Sequence, residues 1–245
     1  MSDLELDRPY RRGDTGNQIK LIQEWLSLNG SHVKVDGDFG PASEAAVRQF
    51  QTQQGLPVSG IADAATFERL IAPMKAALAP IAAQGRGLGP LVVAYAQQHL
   101  AQHPREIGGQ NRGPWVRLYM DGKEGADWAW CAGFVCFCLQ QACTGLGVAM
   151  PIEASVSCDS LAASARRRDR LLGQPTEAAR GQVGAGSLFL NRRTPTDWTH
   201  TGIVVAAEAE AFRTIEGNTN DEGSREGYEV CARTRGYKDV DFIVI

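Results

Sequence analysis

The stretch Asp127-Trp128-Ala129-Trp130-Cys131-Ala132-Gly133-Phe134-Val135-Cys136-Phe137 constrains this chain most. From Cys131 to Ala142 it is apolar nearly all round, which predicts a helix buried on every side rather than an amphipathic surface helix. The fold must therefore enclose it. A cysteine in the first turn of such a helix faces unpaired backbone N–H groups and the positive end of the helix dipole. Both favour thiolate over thiol, and the thiolate is the nucleophile. The plainer alternative is that Cys131 is one more small buried hydrophobe.

Six cysteines are an even number, but Cys131, Cys136, Cys138 and Cys143 crowd one predicted helix, with Cys158 and Cys231 elsewhere. Residues on one helix rarely offer disulfide geometry, and C-x4-C-x-C-x4-C is not zinc-ligand spacing. Reduced thiols and synthesis in a cytoplasm are expected. The length of 245 residues allows one or two domains, and a formal net charge of -3 gives no electrostatic case for nucleic acid. Met1 to Asp14 has no apolar run, so no secretory signal is expected there, and no stretch reads as a membrane span.

Residues 9–74 read as a three-helix unit with glycine turns. Thr15 with Gln18 suggests a capping box ahead of the stripe Ile19, Ile22, Trp25 and Leu26, which Gly30 ends. Pro41 starts a second helix carrying Ala46, Val47 and Phe50, and Gly55 closes it. Asp63 caps a third, which should stop before Pro73. The motifs Arg12-Gly13-Asp14-Thr15-Gly16, Asp36-Gly37-Asp38-Phe39-Gly40, Ala46-Val47-Arg48-Gln49-Phe50-Gln51 and Gly55-Leu56 resemble the helical peptidoglycan-binding domain found beside many wall hydrolases. Asp36 and Phe39 read first as a turn-former and a core residue. The resemblance makes them candidate contacts to wall polymer.

Residues 75–90 are rich in alanine, proline and glycine and read as a flexible linker, and 91–245 as a second domain. A helix from Leu91 to about His103 sets His99 and His103 four apart, without the glutamate a zinc protease requires, and exposed histidines near a helix end are the expectation. Asp121, Glu124 and Asp127 lack an EF-hand pattern, and the basic run Arg166 to Arg170 reads as a solvated helical face. No metal or cofactor is expected.

After the cysteine helix the pattern turns to strands at 186–190, 200–205, 211–218, 227–234 and 240–245, an antiparallel sheet with short connections. Cys131, His200 and Glu216 or Asn218 are the components of a cysteine hydrolase: nucleophile, base, and a group that fixes the imidazole. Glu216 and Asn218 are two apart, so strand alternation points both to one face. Taken alone, Glu216 reads equally as the partner of an arginine.

The pieces Asn111-Arg112-Gly113, Trp130-Cys131-Ala132-Gly133-Phe134-Val135, His200-Thr201-Gly202-Ile203-Val204 and Glu216-Gly217-Asn218-Thr219-Asn220 resemble the CHAP (cysteine, histidine-dependent amidohydrolase/peptidase) domain of the papain-like NlpC-type superfamily. By that resemblance the fold is α+β, a small three-helix module joined to a papain-like domain whose antiparallel sheet packs on helices. Cys131 is then the nucleophile and His200 the general base. Glu216 orients His200, and Asn218 assists it or polarises the oxyanion, with the Cys131 N–H in the oxyanion hole. Trp130, Asn111 and Trp198, beside these residues, are candidate substrate contacts, although the family often has a small residue where Trp198 stands.

The implied function is cleavage of an amide of the peptidoglycan stem, as amidase or endopeptidase. A monomeric phage endolysin released by a holin, or an antibacterial effector exported by a dedicated secretion machine and met by an immunity protein, would reach the cell wall without a signal peptide. The rivals are a non-catalytic wall-binding protein and a thiol redox protein using the Cys131–Cys143 cluster, which lacks a C-x-x-C pair.

Overall fold

Among residues 3–220 and 227–245, which the computed structural model describes, eight α-helices precede a single six-stranded antiparallel sheet, an α+β architecture. The N-terminal helices are α1 (Asn17–Leu28), α2 (Pro41–Gln53), α3 (Ala64–Leu70) and α4 (Ala72–Leu78). Ile19, Ile22, Trp25 and Leu26 of α1 pack with Val47 and Phe50 of α2 and Phe67 and Leu70 of α3. Pro41 lies in the first turn of α2, and Asp63 caps α3 by accepting from the Thr66 N–H at 2.8 Å.

Two local expectations fail. The Thr15–Gln18 capping box does not form, because Gly16 at φ 122° is the N-cap of α1 and Thr15 bridges Asp38 instead. Pro73 lies beyond the end of α3 at Leu70, as expected. It sits in the first turn of a further helix, α4, where the missing N–H has no bond to make. The stretch 75–90 is not uniformly a linker. Met74 and Ala77 of α4 are buried, and the Gln98 and Gln141 side-chain amides donate to the Ala77 carbonyl at 3.0 and 3.2 Å. Only 79–87 lies between helices, and there the Ile81 N–H donates to the Tyr95 hydroxyl at 3.1 Å.

The second half opens with α5 (Leu88–Leu100), α6 (Pro114–Tyr119), α7 (Cys131–Leu146) and α8 (Cys158–Arg167). His99 is fully buried rather than exposed. Its ring bonds the Tyr119 hydroxyl at 2.8 Å and the Gln141 side chain at 2.9 Å, and burial lowers its pKa to about 4. His103 lies beyond the helix at φ 51° and bonds Glu229 at 2.7 Å, so the two histidines do not share a face. The basic run is engaged rather than simply solvated: Arg166 lies over Trp198, Arg167 and Arg168 reach Glu153, and Arg170 donates to the Val244 carbonyl.

The sheet strands are β1 (Leu171–Leu172), β2 (Leu188–Thr194), β3 (Asp197–Ala207), β4 (Ala211–Thr219), β5 (Glu229–Gly236) and β6 (Val240–Ile243), in the order β1-β6-β2-β3-β4-β5. Alternation splits their side chains between two cores. Ile203 and Ile215 join the main cluster with α7, whereas Val204, Phe212 and Phe242 form a smaller one with Tyr237 on the other face. The main cluster runs on into the N-terminal helices. Trp25 meets Trp115 edge-on at 6.4 Å, and Arg117 of α6 bonds Glu24 of α1 at 2.7 Å and Asp3 at 2.8 Å.

Helix α7 lies close against the strands because glycine meets it there. A Cβ at Gly217 of β4 would stand 2.7 Å from Phe134 Cβ and 2.8 Å from the Trp130 ring. Overpacking of this kind costs about 1–3 kcal/mol. Gly217→Ala is therefore expected to lower unfolding free energy by that amount in urea titrations. Gly236→Ala, where no atom lies within 4 Å of the added carbon, should leave the midpoint nearly unchanged.

Candidate active site

Cys131 is the first residue of α7, His200 lies in β3 and Glu216 in β4, and the packing of α7 on these two strands brings all three together. The Cys131 sulfur lies 3.9 Å from the sulfur of Cys158, and the His200 ring and the Thr201 backbone N–H stand near enough to favour its thiolate. The His200 Nε2 bonds Glu216 Oε2 at 2.9 Å, which leaves Nδ1 to face the sulfur. Gly202 shares a strand face with His200. Having no side chain, it lets Glu216 cross to the ring: a Cβ there would be 2.6 Å from Glu216 Cγ.

Glu216 is fully buried, and Arg235 of β5 clamps it with two bonds, Nε to Oε1 at 2.6 Å and Nη2 to Oε2 at 2.5 Å. The Thr214 hydroxyl donates to Oε1 at 2.5 Å. The two roles foreseen as alternatives for Glu216, partner of His200 or of an arginine, are filled at once, since a carboxylate offers two oxygens.

Electrostatics follow from these contacts. Burial alone would raise the Glu216 pKa, but the Arg235 and His200 bonds outweigh it and hold the group at about 2. Burial would likewise push His200 down, yet the bonds to Cys131 and Glu216 raise it to about 9. The Cys131 thiol is pushed well down by the Cys158 hydrogen bond and then by His200, against the opposing effect of burial. Burial raises Cys136 to about 11. At neutral pH the favoured state is a thiolate–imidazolium pair on a fixed carboxylate.

Asn218 takes a different position from the one alternation predicts. It sits at φ 55° where the β4–β5 register shifts, so the side-chain period of two is broken there. Its Oδ1 accepts from the Trp130 backbone N–H at 3.1 Å, and its Nδ2 donates to the Gly227 carbonyl at 2.6 Å and to Asn111 Oδ1 at 3.3 Å. These bonds tie β4 to the residue before Cys131 rather than to His200.

Cys131, Asn218 and Asn111 line a cleft of about 200 Å³ with Ala129, Thr199 and Gly227, and Cys131 as a whole keeps 5% of its surface exposed. A larger cavity of about 340 Å³ between α1 and α6, lined by Glu24, Arg117 and Glu124, holds no nucleophile.

The other candidate contacts lie away from the cleft wall. Trp130 is fully buried, stacked on Tyr119 at 5.5 Å, with its indole N–H on Glu106 Oε1 at 2.9 Å. Trp198 is buried, donating its indole N–H to Asp241 Oδ2 at 2.8 Å. Phe39 is wholly in the N-terminal core. Asp36 shapes its turn, accepting from Gln23 Nε2 at 2.9 Å and the Asp38 N–H at 3.0 Å. The three rings are thus taken by the protein's own packing, Phe39 and Asp36 fill the core and turn roles read first, and the Asp36 carboxylate remains exposed.

Sequence reasoning did not single out Arg235, Glu106 or Thr214. Glu106, its pKa raised by burial, also accepts from the Asn111 N–H at 2.8 Å and so braces the cleft from behind. Only for Arg235 was there a usable signal, because a buried glutamate calls for a cation and the sheet had to supply one.

With this geometry in hand, comparison with known proteins bears on the N-terminal part. Residues 15–70 match the family of peptidoglycan binding domains. Over 58 residues the chain is 38% identical to the zinc D-Ala-D-Ala carboxypeptidase of Streptomyces albus G, covering 24% of this chain and 23% of that one. Over 66 residues it is 41% identical to the spore cortex-lytic enzyme of Bacillus cereus, covering 26% of each. The chain thus spans about a quarter of the length of the curated relatives it matches.

Among solved structures, the SleB N-terminal domain is 38% identical, covering 27% of this chain and 93% of that one, with a TM-score of 0.27. A Burkholderia AP3 phage endolysin is 34% identical, covering 26% and 25%, with a TM-score of 0.26. The chain carries an N-terminal peptidoglycan-binding domain, and the relatives that share this stretch include a spore cortex-lytic enzyme.

Proposed function

We propose that this protein is a peptidoglycan hydrolase that cuts an amide bond of the peptide stem with Cys131 as nucleophile. The observation that carries the reading is the bonded series His200, Glu216 and Arg235 set beside Cys131, whose ionisation His200 favours and which lines a cleft. The peptidoglycan-binding domain on the same chain supports the choice of polymer. Tethering an enzyme to an insoluble substrate raises the effective concentration of scissile bonds. The motif resemblance to the CHAP domain agrees in nucleophile, base and carboxylate.

In this mechanism the Cys131 thiolate attacks the amide carbonyl carbon, and the first-turn N–H groups of α7, which have no intrahelical acceptor, face the developing oxyanion. The His200 imidazolium gives its Nδ1 proton to the departing amine, leaving a thioester on Cys131. His200 then takes a proton from water, and the resulting hydroxide releases the acyl group and restores the thiolate. Glu216 holds the ring through Nε2, and Arg235 holds Glu216 ionised and in place. Asn218 positions the start of α7 through Trp130. The bond cut is either muramoyl-L-alanine or one between stem residues, in the setting of phage lysis or of an antibacterial effector.

Digestion of purified muropeptides followed by mass spectrometry tests this. Free stem peptide identifies an amidase, and shortened stems or opened crosslinks an endopeptidase. Cys131→Ala should lower the rate by at least about a thousandfold, and undiminished turnover by that variant would refute the nucleophile.

The pH profile follows from the signs above. His200 keeps its proton up to about 9 and Cys131 stays ionised well below its ordinary value, so kcat/KM should be flat through neutrality and fall as pH rises through about 9. An alkaline limb at the ordinary imidazole value of 6.5 would exclude the ion pair. Because the nucleophile is the chain's own sulfur, EDTA should leave turnover intact while iodoacetamide abolishes it. The opposite pattern would indicate metal-dependent hydrolysis.

A further inference from the structure

Cys158 opens α8 as Cys131 opens α7, so the positive ends of two helices meet with their sulfurs 3.9 Å apart. No cysteine is in a disulfide, and no other pair has this arrangement among the described contacts. Cys136, Cys138 and Cys143 share a helix with Cys131, which denies them disulfide geometry with it. The Cys136 sulfur is also turned to the Ser155 backbone, at 3.3 Å from its carbonyl and 3.5 Å from its N–H. Cys131 lines the cleft, and it and Cys158 are both buried with a small exposed fraction, 5% and 8%.

We propose that Cys131 and Cys158 are a peroxide-oxidisable pair in which Cys158 resolves the oxidised nucleophile into a reversible disulfide. The proposal rests on the reading of Cys131 as nucleophile only for its effect on hydrolysis. The chemistry itself rests on the two sulfurs.

The Cys131 thiolate attacks one oxygen of hydrogen peroxide. The S–O bond forms, the O–O bond breaks, and the departing hydroxide takes a proton from His200 to leave as water. Cys158 then attacks the sulfenic sulfur. The S–S bond forms, the S–O bond breaks, and the hydroxide leaves as water with the Cys158 proton. Two thiols lose two electrons and two protons, and one peroxide becomes two waters.

The sulfurs must close by roughly 1.9 Å to reach the disulfide length of about 2.05 Å. The Cys131 thiolate is what holds the Cys158 proton on, raising its pKa. Once Cys131 is a neutral sulfenic acid that restraint is gone, and the α8 N-terminus favours the attacking thiolate. The disulfide blocks attack on an amide and shields Cys131 from irreversible oxidation to the sulfinic acid.

The test is to treat the reduced full chain with equimolar hydrogen peroxide, cap remaining thiols with N-ethylmaleimide, and map the digest by mass spectrometry. A Cys131–Cys158 crosslinked peptide that disappears with dithiothreitol is expected, with loss and recovery of wall lysis in step. In Cys158→Ser, a severalfold excess of peroxide, of which two per protein are consumed at Cys131, should drive Cys131 to sulfinic acid, and the lost fraction of that variant's own activity should not return with dithiothreitol. Cys131 recovered as sulfinic acid in the wild type, crosslinked to another cysteine, or unmodified would overturn the proposal. A crosslink in a protein that lyses no wall would uphold the thiol pair and sink the hydrolase reading instead.

Discussion

Glu216 is a carboxylate with no solvent exposure, and the C-terminal half is arranged around keeping it ionised. An unpaired buried charge would cost several kcal/mol, so it persists only with its oxygens matched by donors. Arg235, Thr214 and His200 supply them from three adjacent strands. The carboxylate thus fixes the relative positions of β3, β4 and β5 near the cleft and the orientation of the imidazole. Gly202 makes the crossing possible by leaving the space through which the Glu216 side chain runs.

A second set of bonds fixes the other reacting group. The start of α7 is held by Asn218, which accepts from the Trp130 N–H, and by Glu106, which takes the Trp130 indole N–H. Trp130 is stacked on Tyr119 and buried on all sides, so Cys131 follows a residue that has little room to shift. Sulfur and imidazole therefore meet because two independently braced elements abut, α7 on one side and β3–β4 on the other. The same convergence brings in α8, whose first residue carries the second thiol.

The peptidoglycan-binding domain is packed against the rest of the chain. Arg117 draws together Glu24, Asp3 and Glu124, and Arg105 donates to the carbonyls of Ser27 and Leu28 at the end of α1. The tryptophan pair Trp25 and Trp115 lies beside these bonds. In the proposed function this packing would present the wall-binding surface and the cleft in a defined relation.

Local pattern in the sequence determined the elements. The apolar run after Cys131, the stripes of α1 and α2, and the strand alternation around His200 and Glu216 are short-range signals, since each reflects which face of one element is buried. The closeness of His200 and Glu216 was legible too, because neighbouring strands of a hairpin bring motif residues together. Tertiary structure alone decided which partners those residues take. Arg235 on Glu216, Glu106 under Trp130 and Cys158 behind Cys131 join positions far apart in the chain, where spacing carries no information. Trp198 likewise turned inward, and Asn218 turned to Trp130, because a ring or amide follows its local packing and a left-handed residue breaks the alternation on which the strand argument rested.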